Sequence, residues 1–232
     1  MSELSAEDFL NGQLLLIDKP LGWSSFQAVN KLKWAIRKKF DLKKIKIGHA
    51  GTLDPLATGL LLICTGKFTK KINELQGQPK EYTGTITLGA TTPSYDLETE
   101  IDKNYPTDHV SEELLKQTVG KFIGEIEQRP PVFSALKKDG KRLYEYARAG
   151  KAVEIKKRTV TVSEFEITRI AMPEVQFRIV CSKGTYIRSL AYDLGLSLQS
   201  GAHLSELRRT KIGGYHVNNA SDPTIFGENL LK

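Results

Sequence analysis

The sequence has few cysteines and no apolar run that could cross a membrane. Its 232 residues include two cysteines, Cys64 and Cys181, which form neither a C-x-x-C pair nor a disulfide framework. We interpret both as buried strand residues in a protein of a reducing compartment. The longest apolar run, Leu60–Cys64, is far too short for a transmembrane helix. Since the acidic N-terminus also lacks the features of a secretory signal, we expect a soluble, cytoplasmic protein.

The motifs of several common enzyme classes are missing as well. Gly66-Lys67 is followed by Phe68 and lacks the upstream glycine that a P-loop requires, and no G-x-G-x-x-G follows a strand. No nucleophile elbow is present. The four histidines lie too far apart to suggest a local metal site. The sequence therefore predicts no metal site, and it does not indicate the use of ATP or of a dinucleotide.

Positive charge is in excess and is unevenly distributed. Thirty-four Lys and Arg residues against 27 Asp and Glu give a net charge of +7. Much of the excess lies in two stretches, Lys31–Lys46 and Lys137–Arg158. One basic stretch alone is usually a solvated helix face, but two of them beside the motifs described below favour a polyanionic partner such as nucleic acid.

Apolar periodicity predicts a mixture of helices and strands. Ser24 or Ser25 is a suitable N-cap for a basic amphipathic helix whose apolar positions, Phe26, Val29, Leu32 and Ile36, follow helical spacing, so that its Lys and Arg side chains face outward. Other predicted strands are Gly12–Ile17, Leu60–Cys64, Tyr82–Leu88, Val160–Ile170 and Val175–Cys181. Other predicted helices are Thr69–Leu75, Tyr186–Leu196 and one capped by Ser111.

Two segments between these elements have their own patterns. Residues Thr91–Thr107 contain two prolines and little periodicity, which indicates an exposed excursion. Residues Arg129–Gly150 begin with two prolines and contain an Asp-Gly turn at Asp139–Gly140, which predicts a hairpin followed by a helix. No repeat or flexible linker divides the chain, so one catalytic body over residues 1–232 is the simplest interpretation.

The most distinctive segment is the glycine-rich string Gly48–Gly59, GHAGTLDPLATG. Three glycines and a proline surround a single carboxylate, Asp54, just before an apolar strand, and such a loop can hold Asp54 rigidly against a ligand. In isolation, Asp54-Pro55 would more often only start a turn, and His49 would cap a helix or bind backbone. The whole string favours the functional interpretation.

This string resembles the catalytic motif of the TruB family of tRNA pseudouridine synthases. Four further segments resemble motifs of the same family in the same order, so that the resemblance extends over most of the chain. These segments are Asp18–Ser25, Lys80–Tyr82 with Leu88-Gly89, Arg129–Lys137 with Tyr144 to Gly150, and Cys181–Arg188 with Gly201 to Thr210. Five motifs in the family's order are very unlikely to coincide by chance.

The resemblance implies the fold and the reaction. The fold would be an α+β pseudouridine synthase fold: a mixed, largely antiparallel sheet with flanking helices and a central RNA-binding cleft. The reaction would be the isomerisation of uridine to pseudouridine at position 55, in the T loop of tRNA. The uridine would flip out of the loop, its N1–C1′ bond would be cut, and the base would rejoin through C5. No cofactor would be required.

The resemblance also implies the roles of seven residues. Asp54 would be the catalytic carboxylate, attacking C1′ or abstracting a proton there. Arg188 would pair with Asp54 and favour its charged form. The other five would contact RNA or support the site: Tyr82 by stacking on the target base, Tyr186 and Leu207 by lining its pocket, His49 by entering the space left by the flipped nucleotide, and Lys19 by supporting the loop or binding phosphate. Without the resemblance, Tyr82, Tyr186, Leu207 and Lys19 would be interpreted as core or surface residues.

Partners and domains follow in the same way. Members of the family commonly continue into a C-terminal PUA domain, whereas this sequence stops at Lys232, so we expect a single catalytic domain with a T-loop-binding insertion around residues 129–152. We expect a monomer that acts on the tRNA T stem-loop without guide RNA or membrane. Two alternatives remain: an RNA-folding protein without chemistry, and a guide-RNA-dependent synthase.

Overall fold

The computed structural model describes residues 4–134, 136–151 and 153–232. Its helices are α1 (Ala6–Asn11), α2 (Ser25–Lys39), α3 (Ile72–Gly77), α4 (Glu112–Gly120), α5 (Leu143–Arg148), α6 (Ile187–Ser197) and α7 (Pro223–Leu231). The strands are β1 (Leu14–Lys19), β2 (Ile47–His49), β3 (Ala57–Thr65), β4 (Lys80–Leu88), β5 (Ala90–Thr91), β6 (Lys103–Asn104), β7 (Gly124–Gln128), β8 (Lys137–Lys138), β9 (Lys141–Arg142), β10 (Arg158–Ala171), β11 (Glu174–Cys181), β12 (Ala202–Ile212) and β13 (Tyr215–His216). None of the helices in these ranges is both long and apolar enough to cross a membrane.

The fold is α+β, as the sequence predicted. Among the described residues, nine strands form the main sheet, while β5–β6 and β8–β9 form separate two-stranded sheets. The chain divides into two compact units, one of residues 1–82 and 208–232 and the other of residues 83–207. Strands β4 and β12 each belong partly to both units.

The first unit packs helices on both faces of its sheet. Its strand order is β1-β3-β12, with β2 on β3 and β13 on β12, and the pairings β1–β3, β2–β3 and β12–β13 are antiparallel. Successive side chains of β3 point to opposite faces. Leu61 and Ile63 therefore join a core cluster with α2 and β1, whereas Leu60, Leu62 and Cys64 join a cluster on the other face with Leu75 and Ile212. Burial on both faces explains the continuous apolar run.

The second unit is built around the antiparallel order β11-β10-β7. Strand β11 alternates between buried and partly exposed residues, and its buried side includes Phe177, whose ring meets that of Phe165 edge-on at 6.2 Å between centroids. Helix α6 buries Leu190 and Leu194. Both cysteines, Cys64 of the first unit and Cys181 of the second, are buried strand residues as predicted.

Most predicted elements are confirmed, with shifted ends. Ser24 is the N-cap of α2, and Ser111 caps α4. The first strand starts two residues later than predicted, and the helix predicted at Thr69–Leu75 is a 3-10 turn, Gly66–Lys71, followed by α3. The hairpin of the predicted insertion turns at Asp139–Gly140, both with positive φ. Ala135 and Ala152, which fall in that insertion, lie outside the described residues.

Two predictions were wrong. Phe26 was placed on the inner face of α2 by its spacing, but its side chain is 68% exposed. The buried face of the helix begins at Ser25 and continues through Ala28, Val29 and Leu32, and at about 100° per residue Phe26 points to the side of that face. Residues 91–107 were predicted to be exposed, yet Thr92, Ser94 and Asp96 are buried. Hydrogen bonds among their side chains and backbone, such as Thr92 Oγ1 donating to the Asp96 carbonyl at 2.6 Å, satisfy the buried polar groups.

Candidate active site

Asp54 lies in the loop that joins β2 to β3, and it is half-buried. The preceding side chain, Leu53, is buried, and its backbone is bound from both sides by one hydroxyl group. Ser25 Oγ accepts from the Leu53 amide at 2.8 Å and donates to the Leu53 carbonyl at 3.0 Å. Ala57 N donates to the Asp54 carbonyl at 3.1 Å. The backbone on both sides of the carboxylate is therefore fixed to structured elements.

Arg209, in β12, supports the same loop from the interior of the first unit. Its guanidinium is buried and donates from Nε to the Leu60 carbonyl at 2.8 Å and from Nη2 to the Gly51 carbonyl at 3.0 Å. The bonds join the two ends of the loop that carries Asp54. Gly59 has φ +104° and leaves no room for a side chain, because a Cβ atom there would lie 2.3 Å from the Arg209 carbonyl oxygen.

Lys19, at the end of β1, is fully buried and donates to the carbonyls of Pro20 at 3.0 Å and Trp23 at 2.6 Å. Burial lowers the pKa of Lys19 to about 8, the charge of Asp54 opposes this effect, and the charge of Arg209 adds to it. Because the attraction between Lys19 and Asp54 is mutual, a charged Lys19 stabilises the carboxylate. The structure thus makes Lys19 part of the Asp54 environment.

His49 ends β2 beside the same loop. Burial lowers the pKa of His49, the nearby charge of Arg209 lowers it further, and a backbone hydrogen bond with Gly51 partly opposes both. Among the described residues, Nδ1 of His49 is buried without a hydrogen-bond partner of normal geometry. The lowered pKa favours the neutral form of the ring.

Tyr82 lies in β4 and is almost completely buried. Its neighbour Glu81 accepts from Thr210 Oγ1 at 2.8 Å and pairs with Lys211 at 3.1 Å, which ties this end of β4 to β12. Asp18 and Arg208 form a bidentate pair at 3.0 and 2.6 Å. These bonds position the strands that carry Lys19, Tyr82 and Arg209.

In the second unit, Arg188 occupies the first turn of α6 and is buried. It donates to the carbonyls of Ser94 at 3.1 Å and Phe133 at 2.9 Å, and its Nε lies 3.5 Å from Asp96 Oδ2. Asp96 is therefore an ionic partner of Arg188 that the sequence interpretation missed. The pairing of Arg188 with Asp54 stays a prediction.

Tyr186 is the N-cap residue of α6, and Gln128 holds its backbone from both sides: the Tyr186 amide donates to Oε1 at 2.7 Å, and Nε2 donates to the Tyr186 carbonyl at 2.9 Å. The Arg158 guanidinium lies 4.7 Å from the centre of the Tyr186 ring. Leu207 lies in β12 and is partly buried.

The predicted insertion carries aromatic and basic groups. Arg142 and Arg148 lie 5.9 and 5.3 Å from the centre of the Tyr144 ring, and Arg148 pairs with Glu98 at 3.1 Å. Lys138 Nζ donates to the Glu154 carbonyl at 2.9 Å. Since Arg142 and Arg148 are both exposed, cationic groups lie at the surface around α5.

The structure brings Asp54, Lys19 and His49 of the first unit together around one loop, and it places Tyr186 and Arg188 at the start of one helix in the second. Sequence reasoning missed Ser25, Arg209 and Asp96. Arg209 lies in the segment Gly201 to Thr210, which resembles a motif of the family. Its buried position was missed because charged residues are usually at the surface. Asp96 stands in a segment without periodicity, so no pattern could have indicated it.

Comparisons with known proteins identify relatives of this chain. The N-terminal domain model of the TruB family pseudouridylate synthases matches residues 37–187, and the model of the tRNA pseudouridylate synthase B C-terminal domain matches residues 188–224. The tRNA pseudouridine synthase B of Flavobacterium johnsoniae is 69% identical over 98% of this chain and 100% of its own length. That of Phocaeicola vulgatus is 54% identical over 95% of this chain and 94% of its own.

Solved structures resemble the fold. A chain of a Cbf5-Nop10-Gar1 complex superposes with a TM-score of 0.68 at 33% identity, covering 92% of this chain and 52% of that chain. A chain of the archaeal box H/ACA sRNP Nop10-Cbf5 complex gives a TM-score of 0.65 at 26% identity, covering 96% of this chain and 58% of that chain. This chain thus spans about half the length of those solved chains.

Proposed function

Because the chain belongs to the TruB family of pseudouridylate synthases, we propose that it isomerises uridine to pseudouridine at position 55, in the T loop of tRNA. The observation that carries this proposal is the loop of Asp54, a half-buried carboxylate whose flanking backbone is fixed by Ser25 and Arg209. A rigid, charged carboxylate is what the reaction requires of the protein.

The chemistry uses only the RNA and this carboxylate. Asp54 either attacks C1′ of the flipped uridine or abstracts a proton next to it. If Asp54 attacks C1′, the N1–C1′ bond breaks as the Asp54 oxygen bonds to C1′, and this ester bond breaks in turn when C5 of the turned base attacks C1′. If Asp54 abstracts a proton, the N1–C1′ bond breaks, and Asp54 returns the proton to the same carbon when the C5–C1′ bond forms. On either route the C5 proton then leaves and N1 is protonated. Substrate and product are isomers, so we propose that no cofactor takes part. Buried Lys19 stabilises the carboxylate through its charge.

The other predicted residues have roles in binding the flipped nucleotide. Tyr82 stacks on the target base, as extruded bases generally stack on aromatic rings. Tyr186 and Leu207 line its pocket and keep the detached base in place. Arg188, held by Asp96 and two carbonyls, pairs with Asp54. His49, whose lowered pKa favours the neutral ring, enters the space that the uridine leaves.

We further propose a monomer with one catalytic domain that binds the T stem-loop through the insertion around residues 129–152. The chain works in the cytoplasm without membrane contact. We propose that no guide RNA is needed; in support, the two curated relatives, which match over 100% and 94% of their own length, are named as tRNA pseudouridine synthases. A purified protein that modifies tRNA only after a guide RNA is added would contradict this proposal.

The test is the release of tritium from C5-labelled uridine in an unmodified tRNA transcript. The native protein should release one equivalent per tRNA, and it should release none from a transcript whose T-loop target is cytidine. Asp54→Asn should abolish release, whereas the matched control Asp108→Asn, at an exposed position, should not. Tight tRNA binding without any release would instead favour an RNA-folding protein.

A further inference from the structure

Helix α2 carries two large aromatic side chains on its solvent side. Phe26 is 68% exposed and Trp34 is 52% exposed. Asn30 and Lys38 are exposed as well and continue the same four-residue spacing. Since residues four apart are neighbours on a helix surface, the four side chains Phe26, Asn30, Trp34 and Lys38 form one row, the α2 stripe. Nothing in the packing of the helix requires aromatic residues there.

The α2 stripe lies in a strongly positive environment. Helix α2 contains five cationic residues and no carboxylate, namely Lys31, Lys33, Arg37, Lys38 and Lys39. Among the residues that the structure describes, the ion pairs involve other cations and none of these five. Their charge is therefore available to an anionic partner.

Two of these lysines lie beside the exposed indole ring. The Nζ atoms of Lys38 and Lys31 are 4.8 and 6.0 Å from the centre of the Trp34 ring. An aromatic surface next to mobile cations suits unpaired nucleotides, because a base can stack on the ring while the ammonium groups turn to the adjacent phosphates. A duplex hides the faces of its bases and cannot bind in this way.

The α2 stripe also starts at the candidate active site. Ser25, the first residue of α2, holds Leu53 next to Asp54. Trp34 follows nine residues later, roughly 14 Å along the helix axis at 1.5 Å per residue. An RNA segment that lies on the stripe would therefore extend away from the loop of Asp54.

We propose that the α2 stripe binds unpaired nucleotides of RNA, with one base stacked on Trp34 and neighbouring phosphates held by Lys31 and Lys38. This surface goes beyond the proposed isomerisation, since it takes part in no chemical step. It depends on RNA being a ligand but not on the catalytic role of Asp54.

Fluorescence of Trp34 tests the stacking directly. The chain has two tryptophans, and Trp23→Phe leaves Trp34 as the single emitter. Addition of oligouridine should quench this emission saturably, whereas an RNA duplex of equal length and inorganic polyphosphate should quench it much less. Equal quenching by polyphosphate would overturn the proposal in favour of simple charge attraction. Quenching by vesicles of anionic phospholipid but not by oligouridine would overturn it in favour of a membrane surface.

Binding of a tRNA transcript provides the second measurement. Trp34→Ala should weaken binding about tenfold, within the range found for loss of one stacked base, and should leave the salt dependence of binding unchanged. Trp34→Phe should restore most of the affinity. The control Ile123→Ala, which removes an equally exposed apolar side chain, should have no effect. If a folded Trp34→Ala variant bound tRNA as tightly as the native protein, the proposal that RNA stacks on the α2 stripe would be refuted. Neither measurement requires turnover, so failure of the proposed isomerisation would be seen separately.

Discussion

Arg208 and Arg209 are neighbours in sequence but have opposite environments. Arg208 is partly exposed and forms an ion pair with Asp18, whereas Arg209 is buried and holds backbone carbonyls on both sides of the Asp54 loop. A partly exposed ion pair contributes little to stability, but a buried donor group that is removed leaves unsatisfied carbonyls behind. The two residues therefore form a matched pair for experiment.

We predict that Arg209→Lys lowers the free energy of unfolding by about 2–3 kcal/mol, since one ammonium cannot replace the branched donor set. The kcat for tRNA should fall more than the affinity for tRNA, because the loop loosens while the RNA-binding surface is unchanged. Urea unfolding and steady-state kinetics give the two quantities. Arg208→Lys is the control and should cost less than about 1 kcal/mol. Equal effects of both substitutions would show that the buried hydrogen bonds of Arg209 do not hold the Asp54 loop in place.

The pKa of Lys19 makes stability depend on pH. Burial lowers this pKa to about 8 from 10.5, whereas the unfolded chain keeps the ordinary value. Between these two values the unfolded state binds more protons than the folded state, so stability rises with pH over that window. Over the same window kcat should fall, because Asp54 loses a neighbouring positive charge.

The measurement is urea unfolding of the native protein and of Lys19→Met between pH 8 and 10.5. The native protein should gain stability relative to Lys19→Met as the pH rises. The kcat of the native protein should fall over this pH range, whereas the kcat of Lys19→Met should stay constant. A difference between the two proteins that is independent of pH would show that Lys19 keeps an ordinary pKa.

At the scale of elements, sequence reasoning succeeded where a structure depends on nearby residues. The cap of α2 at Ser24 and the turn at Asp139–Gly140 are local and were predicted correctly. Sequence reasoning failed where the burial of a residue depends on contacts with residues distant in the sequence. Phe26 has helical spacing but lies off the buried face of α2, while Asp96 is buried although its segment has no periodic pattern. The loop of Asp54 was predicted from its composition, but its supports, Ser25 and Arg209, were not.

Asp96 provides a prediction about the start of α6. It is a buried ionic partner of Arg188, and removal of one partner from a buried pair leaves an uncompensated charge. We expect Asp96→Asn to lower the free energy of unfolding by about 3 kcal/mol and to lower kcat, since Arg188 loses its fixed position. Urea unfolding and tritium release measure the two effects.

The control on another helix is Glu112→Gln, which breaks the exposed pair with Lys116 on α4. Exposed pairs of this spacing contribute only about 0.3–0.5 kcal/mol, so this variant should behave almost as the native protein does. If Asp96→Asn were as mild as Glu112→Gln, Arg188 would be held by its carbonyl bonds alone.

For the whole molecule, the distribution of charge determines how RNA binding responds to salt. The net charge is +7, and helix α2 concentrates five cations without a carboxylate. Each phosphate neutralised by the protein releases counterions, and the slope of log affinity against log salt counts these contacts. We expect a slope of roughly −3 to −4, which corresponds to about four phosphates. A nearly flat dependence would contradict the role of the basic surfaces.

The same titration shows which surface contributes. Lys38→Ala with Lys39→Ala should reduce the magnitude of the slope by about 1–2 and weaken binding of all tRNA sequences alike, because phosphate contacts carry no sequence information. Lys116→Ala with Lys121→Ala removes the same charge from α4 and its C-cap. This control should change the slope by less than half as much, since the general field of the protein is screened beyond about 10 Å at 0.1 M salt. Equal changes by both pairs would mean that only net charge matters and that α2 does not lie against RNA.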